Sequence, residues 1–202
     1  MKLTIISGSH RENSQSMKVA GFVRQTLEAA GIEVDVISLA ANPLPLWDQG
    51  VWDGETRWQE LLTPLKQQLA ASDGFVMISP EYHGQVPAGL KNFFLLFGKA
   101  ELGHKPGLII SVSSGDGGSY PIAELRMSSY KNSRLCYIPE HVIVRKVEQV
   151  LNDDPTTNDA RSDSYYRERI SWALKILGEY AQALKQVRAS GVTESDVFRN
   201  GM

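Results

Sequence analysis

Apolar residues cluster in five short runs along the chain, and longer amphipathic stretches separate the runs. They cover residues 3–7, 33–38, 74–79, 107–112 and 141–145. The first, third and fourth runs are apolar almost throughout, which is typical of parallel strands whose two faces are both covered. The pattern therefore predicts five β-strands, three of which lie in the interior of a sheet.

Between the runs, apolar residues recur at the spacing of an α-helix. This spacing predicts helices over residues 17–30, 55–72, about 88–97, about 119–133 and about 165–189. Strands that alternate with helices over short connections form a parallel sheet wound by right-handed crossovers. Five strands fit the flavodoxin-like order 2-1-3-4-5 better than an eight-stranded barrel, which usually needs about 250 residues. We expect one α/β domain over residues 1–202, a three-layer sandwich with helices on both faces of a five-stranded parallel sheet.

Two segments lack a regular apolar spacing. Residues 41–54 are rich in Pro, Gly and Trp and predict an ordered loop after the second strand, whereas residues 151–163 predict an exposed connection before the last helix. Trp47, Trp52 and Trp58 lie in or just after the first of these segments. They either roof the active site of a neighbouring subunit or form a local core that pins the loop, and we favour the local core.

Composition narrows the classes of function. Hydrophobic residues make up 42% and charged residues 22% of the 202 residues, which are ordinary values for a globular protein. The formal net charge of -2 argues against a nucleic-acid partner, because nucleic-acid binders usually carry a basic excess. Cys136 is the sole cysteine, which excludes an intrachain disulfide and a multi-thiolate metal site. We interpret Cys136 as a half-buried packing residue and expect no metal.

The chain offers no sign of a targeting or membrane segment. Residues 1–7 run into glycine and charged residues too soon to supply the core of a signal peptide. No apolar stretch approaches the roughly 20 residues that a membrane-spanning helix needs. We therefore expect a cytoplasmic protein without a membrane partner.

The predicted topology indicates where a ligand binds. In a doubly wound sheet the ligand lies beyond the carboxyl ends of the strands, at the point where the winding direction reverses. That point falls between the first and third strands. The loops after Ser7, Ser79 and Val112 should therefore carry the chemistry, and all three loops are unusually polar or glycine-rich.

The first of these loops spans residues 7–16 and opens directly into an amphipathic helix. Free N–H groups at a helix start attract an anion, and Arg11 adds a cationic fork for phosphate oxygens. Further donors are the hydroxyls of Ser9, Ser14 and Ser16 and the amides of Asn13 and Gln15. The alternative is a helix start merely capped by Ser14, with Arg11 in solvent. Neither the G-x-G-x-x-G nor the G-x-x-x-x-G-K-[ST] motif is present, so the loop suits a terminal phosphate monoester.

The other two loops offer flat surfaces and free backbone. In the second loop, residues 79–87, Tyr82 and His83 present planar side chains near the predicted crevice, although His83 could equally be a surface-turn histidine. In the third loop, residues 113–120, three glycines allow backbone N–H groups to approach a ligand closely, although glycines also favour a flexible turn. All three loops fall on one edge of the sheet, which indicates a site.

The same residues resemble a known family. The sequence SGSHRENS at residues 7–14 is similar to the G-S-x-R-x-x-S loop of the NADPH-dependent FMN reductase family. The sequence PEYHG at residues 80–84, followed by PAGLKN at residues 87–92, resembles that family's P-E-Y-N/H-G…P-x-x-L-K-N segment. The resemblance covers roughly the first 125 residues.

The resemblance implies an FMN-dependent oxidoreductase that reduces a small molecule with NADPH or NADH. The acceptor would be a quinone, an azo dye, a free flavin or a metal oxyanion, and the enzyme would be a homodimer or homotetramer. Lys91 and Asn92 also match the family motif, and we interpret them as support for a helix start rather than as flavin ligands. The implied FMN-binding residues are Ser9, Arg11, Ser14, Gln15 and Ser16 for the phosphate, and Pro80, Glu81, Tyr82, His83, Gly84, Ser114, Gly115, Asp116 and Gly117 around the isoalloxazine ring.

The implied mechanism is a relay of hydride from NAD(P)H through FMN to the acceptor. The cofactor carries the chemistry, so we expect no side chain to act as a catalytic acid or base. Two alternatives stay open. The first is a flavodoxin-type electron carrier, which the nearly neutral charge and the cationic Arg11 disfavour. The second is a flavin-binding regulatory protein without turnover.

Overall fold

In a computed structural model of the chain, residues 1–200 are described, and Gly201 and Met202 lie outside them. Within this range the strands and helices alternate. The strands are β1 (Lys2–Ser7), β2 (Glu33–Ser38), β3 (Gly74–Pro80), β4 (Pro106–Val112) and β5 (Cys136–Val144). The helices are α1 (Gln15–Ala29), α2 (Gly50–Asp53), α3 (Thr56–Ala70), α4 (Ala88–Leu96), α5 (Lys99–Leu102), α6 (Ser119–Met127) and α7 (Ala160–Ala189).

The five strands form one parallel sheet in the order β2-β1-β3-β4-β5, as predicted. The register pairs Ser7 with Ile78 and Pro80 with Val112, so the carboxyl ends of β1, β3 and β4 lie side by side. β3 and β4 are buried along their whole length. The crevice that the topology predicts therefore lies at the ends of these strands.

An apolar core lies on each face of the sheet. One core joins α1 and α7 to the sheet through residues such as Val23 and Leu177. The other joins α3, α4 and α6 through residues such as Leu62, Phe93 and Leu125. Together with the sheet these cores make the predicted three-layer sandwich.

Three predicted boundaries are wrong. β5 begins at Cys136 rather than residue 141, because Pro139 and a register irregularity opposite β4 break the apolar run that marks a strand. α7 begins at Ala160, where the side chain of Asp159 caps it, so the predicted connection over residues 151–163 ends earlier. α6 ends at Met127 rather than near residue 133, although the hydroxyls of Ser128 and Ser129 still bond to helical carbonyls.

The segment after β2 is ordered, as predicted, and contains the short helix α2. Trp58 is buried, and its indole N–H donates to Asp48 at 2.9 Å. Trp52 is 75% exposed and meets Trp47 edge-to-face at 4.8 Å between ring centroids. The predicted local core therefore holds for Trp58 and is wrong for Trp52, whose ring faces solvent.

Two further features concern membranes and metals. In residues 1–200 no helix combines the length and apolarity that a membrane crossing requires. The same part of the chain contains no cluster of three or more His, Cys, Asp or Glu side chains that could hold a metal ion.

Candidate functional site

The three polar loops meet at the carboxyl edge of the sheet. Each loop begins with a backbone hydrogen bond to the end of an adjacent strand. Gly8 donates to Ile78 at 2.8 Å, Glu81 donates to Val112 at 3.0 Å, and Ser113 donates to Val144 at 2.9 Å. The sheet thus fixes where each loop starts, and a shallow cleft opens between them. Its lining includes Ser9, Arg11, Ser14, Gln15, Ser16, Pro80, Glu81, Tyr82 and Ser114.

The first loop presents hydrogen-bonding groups that the protein does not use. Ser14 is the N-cap of α1, and its hydroxyl accepts from Met17 N at 3.2 Å, so the capping alternative is realised. The cap still leaves the N–H groups of Gln15 and Ser16 free, since no atom of residues 1–200 accepts from them. Within the same range the buried Ser16 Oγ and Gln15 Oε1 also lack a partner. The start of α1 is therefore a capped helix that still presents unused hydrogen-bonding groups.

Arg11 and Ser9 flank this helix start in different ways. Arg11 is exposed, and its guanidinium forms no ion pair or side-chain hydrogen bond with any described residue. Ser9 is 1% exposed; its hydroxyl accepts from Arg11 N at 3.2 Å and pairs with the Tyr82 hydroxyl at 2.7 Å. Arg11 is thus free to meet an anion, whereas Ser9 joins the first loop to the second.

The second loop is a tight two-residue hairpin. Tyr82 and Gln85 exchange backbone hydrogen bonds of 3.1 and 3.0 Å. His83 and Gly84 lie between them with φ of 50° and 70°, the left-handed geometry of a type I′ turn. His83 is exposed at the tip, as the surface-turn interpretation expects, and the residues that line the cleft include its neighbour Tyr82 but not His83. Asn, Asp and Gly are the usual residues in such turns, so the backbone of His83 stores some strain.

The third loop is braced by its neighbours. Glu81 Oε2 accepts from Gly118 N at 2.7 Å, which draws the Glu81 carboxylate to the loop rather than leaving it free in the cleft. Arg145 Nε donates to the carbonyls of Asp116 at 2.8 Å and Gly117 at 2.9 Å. Ser114, Gly115 and Asp116 stay exposed. The flexible-turn alternative therefore does not describe this loop.

Three residues at the site escaped the sequence reasoning or received another role there. His10 Nε2 accepts from Gly89 N at 2.8 Å, so a side chain of the first loop caps α4. The N-cap residue of α4, Pro87, makes no capping hydrogen bond through its side chain. Asn92, expected to support a helix start, instead holds the loop after β2: its amide donates to Pro45 O at 2.8 Å and accepts from Trp47 N at 2.8 Å. Lys91, given the same role, pairs with Glu124.

Lys18 is a cation near the first loop that points elsewhere. Its ammonium donates to the carbonyls of Val147 and Val150 at 2.5 and 2.8 Å and to Asn152 Oδ1 at 2.6 Å. Burial lowers the Lys18 pKa. Lys18 therefore fastens α1 to the segment after β5 and is not available to an anion at the start of the helix.

The enclosed part of the cleft measures about 50 Å³. Pockets that enclose a whole ligand are usually about 300–1,000 Å³. The enclosed part of the cleft is therefore too small to surround a whole cofactor. A larger hollow of about 430 Å³ lies nearby between α4 and α6, and Phe94, Leu95 and Leu125 are among the residues that line it.

The strand order and the polar carboxyl edge define a flavodoxin-like protein whose first loop lines a cleft at the ends of the strands. The model of the family described as NADPH-dependent FMN reductase matches residues 1–149. The chain belongs to this family. Membership confirms the prediction of an FMN-dependent oxidoreductase that uses NAD(P)H, and the electron-carrier alternative gains no support.

Individual relatives extend the similarity along most of the chain. It is 28% identical over 188 residues to an NADPH azoreductase of Bacillus sp. (strain OY1-2), covering 93% of this chain and 97% of the relative. It is 25% identical over 192 residues to a 2-hydroxy-1,4-benzoquinone reductase of Burkholderia sp., with coverages of 93% and 98%. Among solved structures, the flavoenzyme NAD(P)H:(acceptor) oxidoreductase FerB of Paracoccus denitrificans superposes with a TM-score of 0.66 at 19% identity, covering 92% of this chain and 97% of that one.

The described residues fit an FMN phosphate. A phosphate monoester needs several converging donors and positive charge. The first loop supplies the free N–H groups at the start of α1, the partnerless hydroxyl of Ser16 and the free guanidinium of Arg11. Arg11, Gln15 and Ser16 all line the same cleft.

Proposed function

We propose that FMN binds with its phosphate on the first loop and its ring across the mouth of the cleft, between the second and third loops. The observation that carries this proposal is the convergence of unused donors at one edge of the sheet, at the start of α1 and along the exposed third loop. The proposed binding residues are Ser9, Arg11, Ser14, Gln15, Ser16, Pro80, Glu81, Tyr82, His83, Gly84, Ser114, Gly115, Asp116 and Gly117.

The protein residues divide the work. Arg11, Ser16 and the α1 N–H groups hold the phosphate through charge-assisted hydrogen bonds, each worth about 1.5–3 kcal/mol. Ser9 and Tyr82 join the first two loops and so set the distance between phosphate and ring. Backbone N–H groups of the third loop face the ring and favour negative charge on it. FMN, when bound, supplies the hydride chemistry between NAD(P)H and the acceptor.

The proposed acceptors are quinones and azo compounds. The azoreductase and benzoquinone reductase relatives cover nearly the whole chain, which supports this substrate class. A ring that lies on an open mouth also suits flat, aromatic acceptors that stack on it. We propose no side chain as catalytic acid or base.

The experiment is cofactor identification followed by turnover. Purified protein reconstituted with FMN, denatured and extracted should release FMN in a one-to-one ratio, and NADPH or NADH should bleach the bound flavin. Menadione and methyl red serve as the quinone and azo probes. Failure to bind FMN at micromolar concentration would refute the site, whereas bound FMN that NAD(P)H cannot reduce would restore the carrier alternative.

The proposal includes a homodimer or homotetramer. Leu95 on α4 is 65% exposed and Met127 at the end of α6 is 78% exposed, beside the hollow between these helices. An exposed apolar patch of this kind marks an interaction surface. Light scattering should give at least twice the chain mass for the wild type, and Leu95→Asp should lower it. A monomeric wild type would contradict the proposal, and a lowered mass for Trp52→Ala would move the interface to the loop after β2.

Two further expectations belong to the proposal. The chain forms a single domain, which limited proteolysis tests, because a single domain gives no stable half-sized fragment. The protein is cytoplasmic, which fractionation of cells that express it from its native locus tests.

A further inference from the structure

The peptide unit between Gly117 and Gly118 is held at both ends by opposite charges. Its carbonyl accepts from Arg145 Nε at 2.9 Å, and its N–H donates to Glu81 Oε2 at 2.7 Å. Glu81 follows β3 and Arg145 follows β5, so the two charges reach the third loop from both neighbouring strands. Hydrogen bonds to ionised groups are about twice as strong as neutral ones.

Arg145 also fixes the preceding peptide unit. Its Nε donates to the Asp116 carbonyl at 2.8 Å, so two successive carbonyls turn toward one guanidinium. In a trans peptide the N–H points opposite to the carbonyl, so Gly117 N–H points away from Arg145. No acceptor within residues 1–200 meets this N–H. The arrangement therefore leaves a free donor on the side of the loop that bears Glu81, which lines the cleft.

The two glycines are required by this arrangement. A Cβ on Gly117 would lie 2.5 Å from Glu81 Oε1. Gly118 has φ of 102°, and a Cβ there would lie 2.4 Å from Ile143 Cγ2. A side chain at Gly117 would displace the Glu81 carboxylate, and one at Gly118 would strain the backbone and clash with Ile143, so either would disturb the contact with Glu81. The Tyr166 hydroxyl accepts from Arg145 N at 3.1 Å and so also holds the backbone of Arg145 in place.

We propose that Arg145 is a positioning residue for the flavin, acting with Glu81 to orient the third loop so that its free N–H groups face the ring. This inference rests on the proposed FMN site and gives the Glu81 carboxylate a role in holding the third loop, in addition to the place of Glu81 in the cleft lining. Donors aimed at the ring stabilise the negative charge that it gains on reduction. We call the hydrogen bonds of Arg145 and Glu81 to the peptide unit between Gly117 and Gly118 the clamp. Loss of the clamp therefore weakens FMN binding and lowers the midpoint potential of the bound flavin.

The test compares Arg145→Gln, Glu81→Ala and Glu81→Gln with Lys146→Gln in the full-length chain. Lys146 is the matched control, because Lys146→Gln removes the same charge next to Arg145, and within residues 1–200 its ammonium pairs only with the exposed Asp116 side chain, at 3.4 Å. FMN dissociation constants come from flavin fluorescence, midpoint potentials from redox titration, and exchange of the Gly118 amide in the FMN-free protein from NMR. Circular dichroism checks that each variant is folded.

We expect Arg145→Gln and Glu81→Ala each to weaken FMN binding about tenfold, the loss expected for one charge-assisted hydrogen bond, and to lower the potential. Glu81→Ala should speed exchange of the Gly118 amide, whereas Glu81→Gln keeps an acceptor and should largely restore the protection and the potential. The double variant Arg145→Gln/Glu81→Ala should bind FMN only slightly more weakly than either single variant, because both residues hold one peptide unit. Lys146→Gln should match the wild type.

Wild-type FMN affinity and potential in Arg145→Gln would overturn the inference, and so would equal losses in Lys146→Gln. If Arg145→Gln does not fold, Arg145→Lys takes its place: lysine has a methylene group where Arg145 has Nε, the donor to both carbonyls, and an unchanged potential there counts against the clamp. Failure of the wild type to bind FMN would refute the proposed site instead. The Gly118 exchange rates, measured without FMN, would still decide whether the clamp exists.

Discussion

The amino edge of the sheet, where its strands begin, and the carboxyl edge, where they end, differ in how their buried polar groups are paired. At the amino edge, Lys105 is 6% exposed and its ammonium donates to three backbone carbonyls, those of Leu69, Ala70 and Glu101, at 2.8–2.9 Å. At the carboxyl edge, the equally buried Ser16 hydroxyl has no partner within the described part of the chain. Since native proteins pair nearly all buried polar groups, an unpaired one requires a reason.

The distribution of unpaired atoms supplies that reason. Of the six buried side-chain atoms without a partner in residues 1–200, four lie at or near the carboxyl edge, on Ser7, Gln15, Ser16 and Ser111. His104 Nε2 is the exception at the amino edge. Burial lowers the His104 pKa and so favours the neutral ring, which costs less to bury than a charge. The sixth atom, Arg169 Nη1, lies on α7. The amino edge is thus almost fully paired within the fold, whereas the carboxyl edge keeps several unpaired groups, as expected where a ligand binds.

We expect the largest effect from removing the Lys105 ammonium at the amino edge. Lys105→Met should lower the free energy of unfolding by about 3 kcal/mol, because three carbonyls lose their donor. The FMN dissociation constant of the folded variant should not change, since Lys105 lies at the edge away from the cleft. Urea denaturation measures the first quantity and flavin fluorescence the second. A stability loss below about 1 kcal/mol would contradict the capping role.

The pH dependence of the free energy of unfolding tests the role of Lys105 further. Burial lowers the Lys105 pKa from 10.5 to about 8. Between these values the unfolded chain binds more protons than the folded one, so this residue makes stability rise with pH across that window. The stability difference between wild type and Lys105→Met should therefore grow from pH 8 to pH 10.5. A flat difference would show that the three carbonyls keep the ammonium charged throughout.

At the carboxyl edge, Arg11→Ala should weaken FMN binding about 10- to 100-fold, which corresponds to one charge-assisted hydrogen bond. Its free energy of unfolding should change by less than about 0.5 kcal/mol, because Arg11 is exposed and has no side-chain partner in residues 1–200. Calorimetric titration with FMN gives the affinity. Arg24→Ala on α1 is the matched control, because it removes the same charge from an exposed pair with Glu28. Equal losses in both variants would indicate a general charge effect instead.

Of the two substitutions at the carboxyl edge, Ser16→Ala should have the smaller effect on FMN binding. It tests directly whether the unpaired hydroxyl serves a ligand rather than the fold. FMN binding should weaken about tenfold, the lower end of the loss expected for one charge-assisted hydrogen bond. The FMN-free protein should be as stable as the wild type or slightly more stable, because an unpaired hydroxyl is removed and Ala favours a helix. Ser171→Ala on α7 is the control without an effect on FMN. A clear loss of stability in the FMN-free Ser16→Ala protein would show that the hydroxyl has a partner in the fold itself.

The sequence allowed much of the fold and the outline of the site to be predicted. The first four strands and their order follow from apolar runs, and the winding of the sheet brings the loops after Ser7, Ser79 and Val112 together. β5 was placed too short, because Pro139 interrupts its pattern on an edge strand. The contacts of Arg145 with the third loop span 28 and 29 residues, and no local pattern marks such a pair. Loop positions follow from topology, whereas side-chain partners depend on tertiary packing.

The first loop is tied down on three sides before any ligand arrives. Ser9 bonds to Tyr82, His10 Nε2 accepts from Gly89, and the His10 carbonyl accepts from Ala41 N at 3.0 Å. A preorganised receptor loses little conformational entropy on binding. Loading of the cofactor is therefore a simple encounter rather than a folding event. It should follow a single exponential whose observed rate rises linearly with FMN concentration, and released apoprotein should reload at the same rate as freshly made chains.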